Sequence, residues 1–352
     1  MTRLAEIIKK QIIHGGPMPI SQFMEACLIH PQYGYYTNTL PIGRAGDFTT
    51  APEISQMFGE LIGLFLSEAW INQKNNQIPN LVELGPGRGT LASDIMRVTK
   101  KIENFPKKIY LLEISKKLKA IQREVLTDYD VEWINSLDDL PEGPLIIISN
   151  EFFDSLPINQ YVRGLDGWHE KLVGVKSNKL IFGLSNYLVN DIIPNKFLDL
   201  QEGSLIEIRP SSDPIIRKIS DIISLHGGLS LIIDYGNWGT TGNTLQAVRN
   251  HKFSDPLKSP GTVDLTAHVD FASLVQNISN CSHTKLENQG IFLERLGITE
   301  RAIKLNSLVN KNKQINHISA HRRLIHPDEM GTLFKVIALF PHEQNSLPGL
   351  IC

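Results

Sequence analysis

One short stretch, LVELGPGRGTL at residues 81–91, constrains the fold of this chain more than any other. An apolar run ends there in three glycines at alternate positions, Gly85, Gly87 and Gly89, and a helical pattern begins near Thr90. A tight turn of this kind excludes side chains, so the backbone can approach a ligand closely. The helix that follows points its free N–H groups at the same place. The stretch therefore predicts a strand, a ligand-binding turn and a helix.

Short apolar runs, each followed by a helical stretch, recur along the chain. The candidate strands are Leu81–Leu84, Ile109–Ile114, Asp130–Ile134, Leu145–Ile148, Leu229–Ile233 and Phe334–Phe340. Several of them are apolar on both faces, which is typical of a parallel sheet covered by helices on both sides. The pattern predicts an α/β fold with a doubly wound, mostly parallel sheet.

The first part of the chain, residues 1–78, departs from this alternation and predicts a helical extension. Apolar residues recur at helical spacing over residues 4–13, a second helix starts near Ser21, and a third pattern covers Glu53–Trp70. The other departure is a β-rich insertion at about residues 158–206, where Gly- and Asn-containing turns separate alternating strands. The rest of residues 79–352 is predicted to form the core domain.

The segment GRAGDFTTAPEIS at residues 43–55 lies in a long irregular part of the extension. Long loops are uncommon in a compact domain unless they have a function. Its small residues and Asp47 suit a loop that folds over a cofactor, with Thr49, Thr50 and Ser55 as polar contacts. The alternative is a structured connection that packs on the core.

Composition excludes several other classes of protein. The 35 basic and 37 acidic residues nearly balance, and no basic arm is present, so nucleic acid is not expected as the main partner. Three distant cysteines, Cys27, Cys281 and Cys352, predict neither a disulfide framework nor a metal site. No apolar run is long enough to cross a membrane, and residues 1–10 lack the apolar part of a secretory signal. We therefore expect a bacterial cytoplasmic protein, whose oligomeric state the sequence does not indicate.

The spacing of the glycines distinguishes among possible cofactors. A dinucleotide-binding fingerprint has its third glycine where this chain has Thr90, which disfavours an NAD-dependent oxidoreductase. The pattern GxGxG, with Glu83 two residues ahead of it, resembles the first motif of methyltransferases that use S-adenosylmethionine (SAM). This resemblance implies that Glu83 lies near the ammonium group of SAM. Glu113 ends the next strand at the separation expected for an acid that binds both ribose hydroxyls. Asn135 and Ser136 follow the third strand, where they would lie by the adenine or form a plain loop.

The candidate catalytic residues follow the fourth and fifth strands. Ligands of an open α/β sheet bind at the carboxyl ends of its strands. The fourth strand ends in Asn150, Glu151 and Asp154, and the fifth ends in Asp234. Asn150 is assigned to the cofactor, whereas the carboxylates can hold a cationic acceptor such as a guanidinium. The alternative for Glu151 and Asp154 is that they cap a loop or a helix.

A further candidate lies in the segment SPGTVDLTAHVDF. His268 can accept a proton near neutral pH, although a single histidine more often has a structural role. Asp264, earlier in this segment, is expected to cap a helix.

Several long motifs of this chain resemble the MidA-like family of SAM-dependent methyltransferases. They include GRAGDFTTAPEISQMFGELIG, ELGPGRGTL, NEFFDSLPINQ, DPLKSPGTVDLTAHVDF and QGIFLERLGI. The resemblance covers nearly the whole chain and implies a seven-stranded, Rossmann-like methyltransferase sheet. It assigns Gly85, Gly87 and Gly89 to SAM and places Glu151 and Asp234 in the pocket. Because the family includes a mitochondrial enzyme that dimethylates an arginine of a complex I subunit and supports assembly of that complex, the resemblance implies an arginine-containing protein as the partner.

Two other functions fit the same motifs. The protein could methylate a small molecule instead of a protein. It could also be a SAM-binding assembly factor without catalytic activity, although such a factor would not need Glu83, Glu113 and the glycines together. The acids after the fourth and fifth strands favour a cationic acceptor and hence the first reading.

Overall fold

The computed structural model describes residues 2–38, 49–249, 252–308, 310–344 and 346–352. The helices of this part of the chain are α1 (Arg3–Gly15), α2 (Ile20–Ile29), α3 (Tyr35–Asn38), α4 (Ala51–Ile54), α5 (Gln56–Ile71), α6 (Thr90–Thr99), α7 (Lys116–Val125), α8 (Ser212–His226), α9 (Phe271–Val275), α10 (Gln289–Arg295), α11 (Ile298–Asn306) and α12 (Lys311–Ile325). Its strands are β1 (Met18–Pro19), β2 (Asn80–Leu84), β3 (Lys108–Leu112), β4 (Asp130–Ile134), β5 (Leu145–Asn150), β6 (Asn159–Arg163), β7 (Trp168–Lys176), β8 (Lys179–Leu188), β9 (Leu205–Ile208), β10 (Gly228–Asn237), β11 (Gln246–Arg249), β12 (Lys252–Ser254), β13 (Asp264–Thr266), β14 (Val269–Asp270), β15 (Ser282–His283), β16 (Glu287–Asn288) and β17 (Phe334–Phe340).

The main sheet has the strand order β15-β17-β10-β5-β2-β3-β4. Strands β4, β3, β2, β5 and β10 are parallel, whereas β17 runs antiparallel to β10. Two further short strands belong to this sheet: β14 pairs with β10, and β16 pairs with β17. The described sheet therefore has nine strands and not the predicted seven. The predicted α/β fold is confirmed, with a mixed sheet that is parallel through its centre.

Helices cover both faces of this sheet, because its central strands are apolar on both sides. In β2, for example, Leu81 packs into the cluster formed with α5 and α6, whereas Val82 packs into the cluster formed with α8. Helix α8 presents Ile216, Ile219 and Ile223, which recur at helical spacing and are fully buried. The two apolar layers hold the carboxyl ends of the parallel strands in fixed positions.

The β-rich insertion forms a second sheet with the order β1-β7-β6-β9, and β8 pairs with β7. The hairpin between β7 and β8 turns at Ser177 and Asn178, which have φ angles of 48° and 60°. Two positive φ angles in succession are the signature of a two-residue hairpin turn. Helices α1 and α2 pack against this sheet in one apolar cluster with Val173, whereas α5 packs in the core of the main sheet. The helices of the predicted extension thus belong to two different apolar clusters, and the domain boundary predicted at residue 78 stays a prediction.

Two sequence-based predictions about helices are wrong in detail. The helix predicted over Glu53–Trp70 is divided into α4 and α5, because Ser55 is extended (φ −158°, ψ 134°) and its hydroxyl accepts a hydrogen bond from Met57 N. Asp264 begins strand β13, and Asp270 is the residue that caps the next helix, α9. Among the described helices, none combines the length and apolar character needed to cross a membrane.

Candidate active site

A cavity of about 310 Å³ lies at the carboxyl ends of β2, β3 and β5. Helices α2 and α4 contribute to its walls, so the N-terminal extension and the core enclose it together. The predicted site residues that line it are Thr50, Glu83, Gly85, Gly87, Glu113, Asn135, Asn150 and Glu151. Gly89, Asp154, Asp234 and His268 are not part of its lining, and neither are Thr49 and Ser136. Asp47 lies outside the described residues.

The glycine loop has the backbone conformation that its sequence predicts. Gly85, Gly87 and Gly89 have φ angles of 64°, 53° and 83°, which side chains disfavour. A Cβ atom on Gly85 would lie 2.9 Å from Cδ2 of Phe152, so that position also has no room for one. Gly89 caps α6 instead of lining the cavity. The loop therefore brings its backbone to the cavity wall at Gly85 and Gly87.

Two buried polar atoms on the cavity wall have no hydrogen-bond partner among the described residues. They are Oε2 of Glu83 and Oδ1 of Asn150. Burial raises the pKa of Glu83 to about 8, although a hydrogen bond from the Ala92 backbone opposes this. Unpaired buried polar groups are costly. A ligand with donors, such as the ammonium group and adenine amine of SAM, would satisfy them, so the residues present fit the predicted cofactor.

Glu113 is held by two donors beside the glycine loop. Ser115 N donates to Oε1 at 2.7 Å, and Nε2 of Gln122 donates to Oε2 at 3.2 Å. Burial raises the pKa of Glu113, and these hydrogen bonds counteract the effect. Asn135 also lines the cavity, but Ser136 caps a short turn in a reciprocal arrangement with Asp139. Glu113 therefore lines the cavity and Ser136 does not, and the contact of Glu113 with the cofactor stays a prediction.

Helix α4 contacts both the glycine loop and the acid after β5. Glu53 accepts a hydrogen bond from the Thr90 hydroxyl and lies 3.8 Å from Nε of Arg88. Two residues earlier, at the start of α4, Ala51 N donates to Oε1 of Glu151 at 3.1 Å. Of the lid predicted over residues 43–55, residues 43–48 lie outside the described part of the chain. Thr50 and α4 line the cavity, whereas Ser55 caps α5, and the lid function stays a prediction.

Glu151 has the most unusual environment of the acids. Its φ angle is 57°, a conformation that residues other than glycine, asparagine and aspartate rarely adopt. Its Oε1 accepts from Ala51 N and from Nδ2 of Asn150, both at 3.1 Å. Oε2 has no partner in the described part of the chain, and burial raises the pKa of Glu151 to about 7. Strained residues that line a cavity are frequently functional.

Asp234 was predicted to lie in the pocket, but the structure places it behind the wall. It is fully buried, and its Oδ2 accepts hydrogen bonds from the backbone N–H groups of Phe152, Phe153 and Asp154. Tyr235 N donates to Oδ1 at 2.8 Å. Burial raises the pKa of Asp234 to about 6 against these donors. Asp234 therefore positions the loop that follows Glu151.

Asp154 and His268 also lie away from the cavity. The carbonyl oxygen of Asp154 accepts from Ala267 N, and burial with the charges of nearby acids raises its pKa well above its usual range. The His268 ring packs edge-on against Tyr235, with centroids 4.1 Å apart, and burial lowers its pKa. The predicted proton-accepting role of His268 has no geometric support, because its ring packs on an aromatic side chain and does not reach the wall.

Sequence reasoning missed several residues that the fold brings to the site. Tyr36 lines the cavity, and its hydroxyl donates to Oδ1 of Asp264 at 2.8 Å. Arg209 is half-buried behind the cavity wall, where it donates to the carbonyl oxygens of Leu156, Ala267 and His268. Arg209 belongs to no recognisable motif, whereas Tyr36 lies in HPQYGYYT, one of the motifs that resemble the family. Glu53, by contrast, lies in the APEIS motif beside the predicted contacts and could have been proposed.

Asp234→Asn should lower the free energy of unfolding by about 2–4 kcal/mol, because an amide cannot accept on both sides and would oppose backbone N–H groups that are buried. Urea denaturation of the two proteins measures this difference. Asp166→Asn, at an exposed acid on a turn, is the control and should change stability by less than about 1 kcal/mol. An unchanged midpoint in Asp234→Asn would contradict the positioning role.

Comparison with known proteins identifies the family to which this chain belongs. A family model described as S-adenosyl-L-methionine-dependent methyltransferase matches residues 61–289. The chain belongs to this methyltransferase family. Its cofactor is therefore SAM, in agreement with the glycine loop and with the two orphan polar atoms on the cavity wall.

Relatives within the methyltransferase family extend over nearly the whole chain. The Xenopus laevis protein named "Protein arginine methyltransferase NDUFAF7, mitochondrial" is 34% identical over 94% of this chain and 82% of its own length. The human protein of the same name is 33% identical over 94% and 81%. A Burkholderia thailandensis protein crystallised with S-adenosyl-homocysteine superposes with a TM-score of 0.85 and 25% identity, covering 98% of this chain and 94% of the other.

Proposed function

We propose that this protein transfers a methyl group from SAM to an arginine side chain of a protein partner. The observation that carries this proposal is the environment of Glu151, a half-buried residue on the wall of the cofactor cavity. Its Oε1 accepts two hydrogen bonds, and its Oε2 accepts none from the described residues. A carboxylate in this position can hold a guanidinium by charge-assisted hydrogen bonds. The names of the relatives support the same acceptor.

Glu151 would orient the acceptor and favour loss of its proton. SAM, when bound, supplies the methyl group on a sulfonium centre. Because Ala51 N and Asn150 fix Oε1, the carboxylate cannot rotate freely, and Oε2 remains for a guanidinium N–H. A hydrogen bond from one nitrogen to this oxygen directs the guanidinium and increases electron density on its nitrogens. The chain thereby contributes orientation and negative charge.

The surroundings of Glu151 add to the preference for a cation. Asp154, Asp234 and Asp264 are buried near one another, and Arg209 offsets their charge in part. The charge of Arg323 on α12 also acts on Glu151 and lowers its pKa. At the mouth of the cavity α2 contributes Glu25, which is exposed. These acidic groups at and behind the cavity wall favour the approach of a cationic acceptor and disfavour an anionic one.

The proposal is tested with the purified protein, SAM carrying a labelled methyl group, and two acceptor pools. One pool is a set of arginine-containing peptides from subunits of respiratory complex I or its bacterial counterpart, and the other is a small-molecule extract. Methylarginine found by mass spectrometry in the peptides supports the proposal. Label confined to small molecules would identify a small-molecule methyltransferase, and SAM binding without any transfer would indicate a binding factor.

The methyl-transfer rate should depend on pH with a midpoint near 7, which is the pKa to which burial raises Glu151. The carboxylate form is present above this pH and is lost as the pH falls through it, so activity should decrease on the acid side, whereas an ordinary glutamate would lose its charge only near pH 4–5. The measurement is kcat/KM for the acceptor against pH at saturating SAM, because this ratio reports the ionisation of Glu151 before the acceptor binds. In Glu151→Gln this acid limb should be absent, and in His268→Ala it should persist. An acid limb unchanged in Glu151→Gln would assign it to another group.

A further inference from the structure

Gln122 is a fully buried glutamine on α7 whose side chain connects three parts of the molecule. Its Nε2 donates to the carbonyl oxygen of Gly87 at 2.7 Å and to Oε2 of Glu113 at 3.2 Å. Its Oε1 accepts from Nε1 of Trp133 at 2.8 Å. Because an indole N–H can only donate and a carbonyl or carboxylate oxygen can only accept, the orientation of the amide is determined by its partners.

An amide at this position is not required by packing. Gln122 lies four residues after Leu118, on the buried face of α7, where an apolar residue would fill the same space. Burying an amide is unfavourable unless its polar atoms are paired. Here all of them are paired, and two of the three partners are groups that line the cofactor cavity. The presence of an amide at position 122 is therefore explained by its hydrogen bonds to Gly87, Glu113 and Trp133.

The consequence for Glu113 follows from counting its acceptor sites. Ser115 N occupies one site on Oε1 and Gln122 one site on Oε2. The Ile114 backbone also interacts with this carboxylate and lowers its pKa. A carboxylate has about four lone-pair sites, so Glu113 can still accept from a hydroxyl. The same glutamine holds the carbonyl of Gly87 and so fixes that peptide of the glycine loop. One side chain thus sets the relative position of the two cofactor contacts.

We propose that Gln122 is a positioning residue for SAM, which aligns the Glu113 carboxylate with the two ribose hydroxyls and ties it to the glycine loop. The inference rests on the assignment of Glu113 to the ribose. It does not depend on whether the methyl acceptor is an arginine, so its test needs no acceptor and can fail independently of the proposed function.

The test compares the wild type with Gln122→Met, a variant of similar length that keeps the helical preference but donates no hydrogen bond. Calorimetric titration with S-adenosylhomocysteine should show a Kd raised by about 10–100-fold. The same titration with the 2′-deoxyribose analogue should show a smaller loss, because that ligand already lacks one hydroxyl contact. With a working acceptor, the KM for SAM should rise while kcat changes by less than about threefold.

Gln289→Met is the matched control. Gln289 is another fully buried glutamine whose amide donates to a backbone carbonyl, that of Leu324, but it lies outside the cavity lining. Its substitution should reduce the melting temperature without changing the Kd. If Gln122→Met does not fold, Gln122→Leu is used, which is also apolar and donates no hydrogen bond, and the same difference between the two ligands is expected. Equal losses for both ligands, or an unchanged Kd, would overturn the proposal.

Discussion

Glu151→Gln is expected to slow methyl transfer by about 100-fold or more while the Kd for SAM changes by less than about threefold. The glutamine can keep its oxygen toward Ala51 N, so the local hydrogen bond and the strained backbone are retained. What the variant loses is the negative charge that would hold and orient a guanidinium. The measurement combines single-turnover methylation with calorimetric titration of SAM.

Glu142→Gln serves as the control for this variant, because Glu142 is an exposed glutamate on the turn before β5. Its rate should stay within about twofold of the wild type. Normal turnover in Glu151→Gln would remove Glu151 from the mechanism, whereas a loss of SAM affinity equal to the loss of rate would show that it acts on the cofactor.

Gly87→Val is expected to raise the Kd for SAM by at least about 100-fold with the fold largely kept. Gly87 has a φ angle of 53°, which a β-branched residue adopts only with strain, and it lies on the cavity wall. The substitution would therefore displace the backbone that approaches the cofactor or put side-chain atoms near it. Calorimetric titration with SAM measures the affinity, and circular dichroism measures the fold.

Gly203→Val is the control for Gly87→Val. It distinguishes the effect of backbone strain alone from the effect of a change in the cavity wall. Gly203 also has a positive φ angle, 82°, but a Cβ atom there would meet no atom within 4 Å, and the residue lies outside the cavity lining. This variant should lose some stability and bind SAM with unchanged affinity. Equal weakening of SAM binding in both variants, or unaltered affinity in Gly87→Val, would show that the glycine loop is not the cofactor loop.

The cofactor half of the site could be predicted from local sequence, because a strand, a tight turn and a helix are specified by residues close in the chain. Glu83, Gly85, Gly87 and Glu113 all line the cavity as predicted. The register of parallel strands places the ends of β2 and β3 side by side, so an acid at the end of the second strand could be assigned as well.

The part of the site that would bind the methyl acceptor was predicted less well. A carboxylate at a strand end can face the cavity, or it can face the backbone behind the cavity wall. Glu151 follows β5 and Asp234 lies within the neighbouring strand β10, yet only Glu151 reaches the wall. Asp234 is turned toward three N–H groups of the loop after β5. Nothing in the pattern of residues distinguishes these two orientations, because both satisfy the rule that buried carboxylates need donors.

Local patterns of residues were thus sufficient for the α/β class, the glycine loop and its cofactor, since the period of apolar residues and the conformational freedom of glycine act over a few residues. The tertiary structure alone decided which distant side chains meet. It brings α4 onto Glu151 and Thr90, and it places Gln122 between Gly87 and Glu113. These contacts join residues up to 100 positions apart. Their formation depends on the packing of helices against the sheet, which no short segment of the chain specifies.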